Sequence, residues 1–142
     1  MPIQALTYTS DAAPGLGADQ VEWLARKAAV FNVQAGVTGV LLFDGSRFLQ
    51  YLEGPQDGLE VVFSRILNAK LHSNVVELGR GRSGRRNFHY WSMRRFSVER
   101  AELDGLVSQD WGSFVLRPLL DEGSRHHGVE ALASTLVPHI AR

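Results

Sequence analysis

Residues 36–54, GVTGVLLFDGSRFLQYLEG, contain two apolar runs on either side of an Asp-Gly pair. This pattern predicts a β-hairpin with strands over 37–43 and 48–53 and with Asp44-Gly45 as its two-residue turn. The VLLF run at 40–43 is apolar at consecutive positions, so both faces of its strand are expected to be covered. The hairpin therefore predicts a sheet that lies between two layers.

One residue of the hairpin does not fit its apolar surroundings. Gln50 shares a strand face with Phe48 and Leu52. The predicted turn places Gln50 opposite Gly39, and Leu41 opposite Phe48, which leaves room above the glycine for a ligand or a backbone. Burying an amide without a partner costs roughly 1–3 kcal/mol. We therefore expect Gln50 to have a specific hydrogen-bonding partner.

The remaining elements follow from periodicity and from turn residues. The patterns predict a first strand at 3–9, a loop at 10–17 and later strands at 75–78 and 90–98. Asp19 is the expected N-cap of a first helix, and Pro55 is expected in the first turn of a second. The buried stripes of the two helices are predicted to contain Val21, Leu24, Ala25, Ala28 and Asn32, and then Leu59, Val62, Phe63 and Ile66.

This order, βαββαββ, predicts an α+β, ferredoxin-like sheet with two helices on one face. The second face needs a cover of its own. The segment 129–140 has Leu132, Leu136 and Ile140 on one helical stripe, so either this tail folds back or another subunit covers the face. We divide the chain into a domain at 1–98 and a small helical C-terminal extension at 99–142.

Composition excludes several classes of function. The chain has 142 residues, no cysteine, and 15 basic against 15 acidic residues. Without cysteine there can be no thiolate metal site or thiol nucleophile, and the zero net charge argues against nucleic-acid or membrane partners. No membrane span or secretion signal is recognisable, which favours the cytoplasm. His126, His127 and His139 lack the spacing of a metal site.

The Gly- and Arg-rich stretch GRGRSGRR at 79–86 is expected to be a solvated loop, with a phosphate contact as the more specific alternative. Three polar residues are expected to converge elsewhere. Tyr8, Asn32 and Gln50 fall on inward faces of the first strand, the first helix and the hairpin. Each has an ordinary explanation: Tyr8 bonds to a backbone carbonyl, Asn32 caps its helix, or Gln50 bonds to Tyr8 alone. Together they could hold a flat, amide-like heterocycle.

These residues resemble a known family. Tyr8-x-Ser10, Asn32, the VTG at 37–39, the F-x-Q-x-LEG at 48–54 and the WSM at 91–93 are similar to the BLUF domain, a sensor of blue light that uses FAD. The resemblance covers about residues 3–98. The whole chain is similar to short BLUF photoreceptors that carry only a small helical tail.

The resemblance implies a flavin between the two helices. The sequence shows no acid-base pair beside the implied ring, so no enzymatic activity is expected. The residues implied to bind it are Tyr8, Leu24, Ala28, Asn32, Leu41, Phe48, Gln50, Ile66, His72 and Met93. For His72, a structural or surface role is the alternative. The residues 68–72, NAKLH, depart from the family's Asp-x-Arg-His, with Lys70 and Leu71 replacing polar residues, so FMN or riboflavin are alternatives to FAD. Arginines 80, 82, 85 and 86 could compensate at the phosphate.

The implied mechanism is photochemical and forms no covalent bond. Tyr8 donates an electron and then a proton to the excited flavin, and the amide of Gln50 rotates or tautomerises before recombination. Trp91 or Met93 then relays the change to the tail. The tail is implied to contact a downstream protein partner, and the chain is expected to form a homo-oligomer. The competing hypotheses are a flavin-free regulatory module and, ranked last, a small flavoenzyme.

Overall fold

A five-stranded sheet organises the protein in the order β4-β1-β3-β2-β5. The computed structural model describes residues 3–88, 91–111 and 128–140. The elements are β1 Gln4–Ala12, α1 Ala18–Ala35, β2 Thr38–Phe43, β3 Arg47–Gly54, α2 Gln56–Leu67, β4 His72–Arg82, β5 Arg94–Ser97, α3 Arg100–Val107 and α4 Gly128–Ile140. All strand pairs are antiparallel except β2 with β5. The predicted α+β, ferredoxin-like βαββαββ order is confirmed.

Several predicted boundaries were wrong. β1 continues to Ala12 instead of ending at residue 9, and β4 begins at His72 and runs to Arg82. Half of the expected 79–86 loop is therefore strand, because Gly79 to Arg82 pair with the first residues of β1. Cross-strand hydrogen bonds outweigh the low strand propensity of glycine here. β5 is short, so residues 91–93 precede it and are not part of the last strand.

The hairpin turn also differs from the prediction. Phe43 pairs with Phe48, and Gly45-Ser46 are the central turn residues. The carboxylate of Asp44 accepts hydrogen bonds from the backbone N–H of Ser46 at 3.0 Å and of Arg47 at 2.7 Å. Gly45 has φ of +102°, which suits the first central position of a type II′ turn. Asp44 therefore acts as the residue before the turn.

Compared with the predicted turn, this turn shifts the pairing of β2 with β3 by two residues. Each side chain therefore has a different partner across the hairpin but stays on the same face of the sheet. Gln50 lies opposite Leu41, and Gly39 lies opposite Leu52. A Cβ on Gly39 would come within 2.0 Å of the Tyr51 carbonyl oxygen, so glycine is required by a close backbone approach. The predicted pairing of Gly39 with Gln50 was wrong.

The helix ends show two further corrections. Gly17, not Asp19, is the N-cap of α1, and its N–H donates to the Gln20 side chain at 2.8 Å. Pro55 is the N-cap of α2 and precedes its first turn. Gly36 caps the C-terminal end of α1, so the Asn32 side chain is not needed there.

Each face of the sheet has its own apolar core. The first face packs against α1 and α2 through residues that include Leu6, Val21, Leu52 and Val62. The second face packs against α3 and α4, and Leu132 and Leu136 are fully buried.

The tail therefore folds back, as one of the two alternatives predicted. Ile140 was expected on the same buried stripe but is 43% exposed, because it lies at the end of α4, one turn beyond the covered part of the sheet. No helix in the described part of the chain is long and apolar enough to cross a bilayer.

Candidate functional site

A cavity of about 470 Å³ lies between α1 and α2, above the first face of the sheet. Pockets of about 300–1,000 Å³ are usual for small ligands and cofactors. The residues that were predicted to bind a cofactor and that line this cavity are Tyr8, Leu24, Ala28, Asn32, Leu41, Phe48, Gln50, Ile66 and His72. Met93 was predicted with them but does not line the cavity; it lies behind Gln50.

Gln50 has partners on two sides. Tyr8 lies directly across from it in the β1–β3 pair, and the Tyr8 hydroxyl donates a hydrogen bond to Gln50 Oε1. Gln50 Nε2 is 3.3 Å from Met93 Sδ, which is a weak acceptor. The side chains of all three are nearly or fully buried. The amide is therefore held by a strong partner at its oxygen and a weak one at its nitrogen.

Burial also controls the ionisation of Tyr8. It raises the pKa of this phenol far above its ordinary value, since a phenolate would lose its hydration there. The neutral phenol keeps its proton across the accessible pH range and remains a donor to Gln50. The Tyr8 hydroxyl thus donates to Gln50 and not to a backbone carbonyl, which was the alternative partner considered from the sequence.

Asn32 connects α1 to the segment before β5. Its side chain is 1% exposed, and its Nδ2 donates to the carbonyl of Ser92 at 2.8 Å. The Gly39 N–H donates to the neighbouring carbonyl of Trp91 at 2.8 Å. Two hydrogen bonds therefore hold residues 91–92 next to the cavity, and Met93 follows immediately.

Trp91 and Met93 face opposite sides of the sheet. Trp91 stacks against Phe88 with ring centroids 5.7 Å apart and lies the same distance from Phe96. Both partners belong to the second-face core. Met93 belongs to the first-face core and contacts Gln50. Of the two residues in the WSM motif, Met93 is therefore the neighbour of Gln50.

His72 combines a structural role with a place on the cavity wall. Its Nε2 is 2.7 Å from the Ile66 carbonyl and its Nδ1 is 2.7 Å from the Ser10 hydroxyl. Since a carbonyl only accepts, Nε2 donates to Ile66, and Nδ1 shares the second hydrogen bond with the Ser10 hydroxyl. The ring therefore fixes the end of α2 against β1.

The mouth of the cavity contains residues that sequence reasoning did not assign. Lys27, Arg65 and Lys70 line it together with Trp23. The Arg65 guanidinium lies 3.9 Å from the Phe31 ring centroid, and Lys27 Nζ lies 5.0 Å from that of Trp23. Lys27 is one turn beyond Trp23 in α1. This spacing places the two side chains next to each other on the helix surface, and it was the sequence feature from which their contact could have been predicted.

The loop arginines do not provide these charges. Arg80 pairs with Glu77, and Arg86 donates to Thr38 and to the Gly36 carbonyl. None of the four arginines at 80, 82, 85 and 86 is among the described residues that line the cavity. The lining of the cavity therefore does not support the phosphate contact that was the alternative interpretation of this segment. His126 and His127 lie outside the described residues.

The cavity thus presents three kinds of chemistry in order of depth. Its floor has a phenol and two carboxamides, its walls are mainly apolar, and its mouth is cationic. Such an arrangement can bind a planar heterocycle by its polar edge and an attached anionic group at the surface. Residues 3–88, 91–111 and 128–140 contain no cluster of three or more potential metal-ligating side chains.

Comparison with protein families gives one match that spans most of the chain. The family model described as "BLUF: Sensors of blue-light using FAD" matches residues 3–94. The blue light- and temperature-regulated antirepressor BluF of Escherichia coli is 37% identical over 76 residues, which are 54% of this chain and 19% of that protein. The photoactivated adenylate cyclase subunit beta of Euglena longa is 32% identical over 74 residues, 52% of this chain and 9% of that protein. The chain thus spans less than a fifth of these curated relatives.

Solved structures agree with the fold. The BLUF structure of BlrP1 has a TM-score of 0.69 and 30% identity, covering 100% of this chain and 94% of that one. The dark-state structure of the BLUF protein BlrB has a TM-score of 0.65 and 30% identity, covering 74% and 78%. Klebsiella pneumoniae BlrP1 with FMN and cyclic diGMP has a TM-score of 0.63 and 38% identity, covering 67% and 26%.

Proposed function

Because the chain belongs to the BLUF family of flavin-binding blue-light sensors, we propose that it holds a flavin between α1 and α2 and signals by rearranging the hydrogen bonds of Gln50. One observation carries this proposal. The Tyr8 hydroxyl, the Gln50 amide and the Met93 sulfur form a continuous buried chain of contacts at the cavity floor. An amide in that position can turn and present either its oxygen or its nitrogen to Tyr8.

The lining residues fit a flavin in shape and polarity. Leu24 and Ala28 of α1 and Ile66 of α2 give the cavity opposed apolar walls for a ring. Asn32 and Gln50 offer the donor and acceptor groups that the ring's polar edge needs. The cations at the mouth suit a phosphate on the ribityl chain, which supports FAD or FMN over riboflavin.

When bound, the flavin supplies absorption of blue light and, once excited, oxidising power. Tyr8 is the redox-active side chain at the buried floor of the cavity, whereas Trp23 lies at its exposed mouth. Loss of an electron makes the phenolic proton of Tyr8 strongly acidic. Gln50 Oε1 already accepts that hydrogen bond, so the proton would move from Tyr8 Oη to Oε1 and stay on the amide until the electron returns to Tyr8. Return of the electron and proton to Tyr8 can then leave the amide in its second orientation, with Nε2 directed towards Tyr8.

Reorientation of the amide changes what Met93 contacts. In the described arrangement Nε2 points to Met93 Sδ, whereas the turned amide presents its oxygen there, which removes the donor. Met93 immediately precedes β5, which pairs with β2 and leads into α3. We propose that this route carries the signal to α3 and α4 on the opposite face.

We further propose that residues 99–142 form the output region, through which the chain contacts a downstream protein and a second copy of itself. The relatives support a sensory role with varied outputs, since one is an antirepressor and another a photoactivated cyclase. Only 9% of the cyclase subunit is matched, so its enzymatic activity is not transferred to this chain.

An absorption spectrum taken before and after blue light tests the proposal. The purified protein is expected to contain flavin and to show a small red shift that reverses in the dark. Gln50→Leu is expected to retain flavin but to lose the shift, whereas Gln34→Leu, at an exposed position on α1, keeps it. Protein that contains no flavin and takes up neither FMN nor FAD would refute the function. A normal shift in Gln50→Leu would refute the mechanism alone.

A further inference from the structure

A carboxylate that the proposed function does not use lies on β3, on the side of the sheet away from the flavin cavity. Glu53 is fully buried, and its side chain lies on the second face, because it alternates with Leu52 of the first-face core. A buried carboxylate needs several hydrogen bonds to replace its hydration. The donors that contact Glu53 therefore indicate what this charge holds in place.

Four donors satisfy the Glu53 carboxylate. Its Oε1 accepts from the Tyr51 hydroxyl at 2.9 Å and from the Asn87 N–H at 2.8 Å. Its Oε2 accepts from the Thr38 hydroxyl at 3.1 Å and from the Phe88 N–H at 2.8 Å. Burial, and then the charge of Glu53, raise the pKa of Tyr51, so its phenol remains a donor. Each carboxylate oxygen thus binds one hydroxyl of the sheet and one backbone N–H of the chain that follows β4.

Side chains of the 86–88 segment reinforce this attachment. Arg86 donates to the Thr38 hydroxyl at 2.9 Å, and Asn87 Nδ2 donates to the Tyr51 hydroxyl at 3.1 Å. Each hydroxyl therefore accepts a hydrogen bond from the segment and donates one to the carboxylate. All three residues of the segment are thus attached to β2 and β3 through contacts that converge on one side chain.

The 86–88 segment in turn holds Trp91 on the second face. The ring of Phe88 stacks on that of Trp91 with an interplanar angle of 17°, and the Phe88 carbonyl accepts from the Trp91 N–H at 3.2 Å. Met93 follows two residues later and lies on the first face against Gln50. Residues two apart in a regular strand share a face, so the opposite placement of Trp91 and Met93 depends on contacts such as those of Phe88.

We propose that Glu53 is a positioning residue that holds Met93 against Gln50 and thereby limits the lifetime of the light-induced state. The inference rests on the proposed function, because it assumes that the Gln50 amide turns. The turned amide would present its oxygen to the Met93 sulfur, and this would bring two acceptors together. Because Glu53 holds the preceding segment, Met93 cannot move away from that oxygen. The turned state is therefore disfavoured and returns quickly.

Glu53→Gln tests this inference at nearly constant side-chain volume. An amide has one oxygen and one NH2 group, so in either orientation one backbone N–H of the 86–88 segment faces the NH2 group and loses its acceptor. The loosened segment should let the turned state persist. We expect the absorption shift of flavin-loaded protein to recover in the dark about fivefold more slowly, the effect of one lost hydrogen bond. Glu60→Gln, at an exposed position on α2, is the matched control and should recover at the wild-type rate.

The position of Met93 can be measured without light. The chain contains two methionines, Met1 and Met93, so carbon-13 labelling of the methionine methyl groups gives two NMR signals, which Met93→Leu assigns. In flavin-loaded protein kept in the dark, Glu53→Gln should shift or split the Met93 signal. Glu60→Gln should leave this signal at its wild-type position.

The outcomes separate this inference from the proposed function. An unchanged Met93 signal or an unchanged recovery rate in Glu53→Gln would overturn the inference. If this variant does not fold, Thr38→Val, which removes one donor from the carboxylate, is measured in the same way, and wild-type values would again overturn it. Wild-type protein that binds flavin but shows no light-induced shift would instead refute the proposed function, while the NMR signal still reports on the position of Met93 in the dark.

Discussion

The hydrogen bond between Tyr8 and Gln50 predicts a measurable energetic coupling. Tyr8 is 2% exposed and Gln50 is 5% exposed, so neither lost partner can be replaced easily by bulk water. Tyr8→Phe leaves Gln50 Oε1 without its donor, and Gln50→Leu leaves the Tyr8 hydroxyl without its acceptor. Each unpaired buried group costs about 1–3 kcal/mol. The double variant removes both groups and leaves neither unpaired.

The double variant should therefore be destabilised by at least about 2 kcal/mol less than the sum of the single variants, because each single variant has one unpaired group and the double variant has none. Changes in packing at one residue appear in both a single and the double variant, and cancel in the cycle. The free energy of unfolding is measured by urea titration of flavin-saturated protein, followed by circular dichroism. Because bound ligand adds RT ln(1 + [L]/Kd), the flavin affinity of each variant is measured and that contribution subtracted.

A second cycle provides the control. Tyr8→Phe is combined with Gln34→Leu, which changes an exposed amide on the same helix as Asn32, and these two effects should add. If the effects of Tyr8→Phe and Gln50→Leu also add to within about 0.5 kcal/mol, the hydrogen bond has no energetic importance. The assignment of Tyr8 as the partner of Gln50 would then be refuted.

Two glycines and one turn carboxylate give further predictions. Gly39→Ala should destabilise the protein by about 3 kcal/mol in urea unfolding, because its Cβ would meet the Tyr51 carbonyl oxygen. Gly105→Ala, inside α3 with no atom near the added Cβ, should instead stabilise it by about 0.5–1 kcal/mol. If Gly39→Ala were the more stable of the two variants, the close approach of β2 and β3 at Gly39 would be contradicted. Burial alone would raise the pKa of the Asp44 carboxyl, but hydrogen bonds from two turn N–H groups and from Arg47 hold it below its ordinary value. This stability is present above the unfolded pKa and is lost as the pH falls below about 4, so Asp44→Asn should show a shallower acid loss in thermal melts. If the melting temperatures of the wild type and of Asp44→Asn depended on pH in the same way, the role of the Asp44 carboxylate in the turn would be contradicted.

Much of the fold could be predicted because apolar periodicity is local. The two apolar runs of the hairpin and the stripes of α1 and α2 identified the elements and their buried faces, and Leu132 and Leu136 marked the tail as a possible cover. The ends of the strands were harder to predict from the sequence. Gly79 to Arg82 resemble a loop in composition, and only their pairing with β1 makes them strand.

The register of the hairpin shows most clearly what the apolar pattern of the sequence could not predict. Turns centred on Asp44-Gly45 or on Gly45-Ser46 differ by two residues in pairing, and both place Gln50 on the same face. The apolar pattern is therefore identical for the two registers. Hydrogen bonds from the turn backbone to the Asp44 carboxylate select the observed one.

The sequence by itself determined the chemistry available to the site. An amide at position 50, a phenol at position 8 and an amide at position 32 are fixed by residue identity, and their places on inward faces follow from local periodicity. The tertiary structure decided which partners these groups have. It placed Met93 rather than Trp91 beside Gln50, and it placed the cations of α1 and α2, rather than the 79–86 arginines, at the cavity mouth. These outcomes depend on strand register and helix docking, which are set by contacts between residues distant in the chain, so no local pattern could encode them.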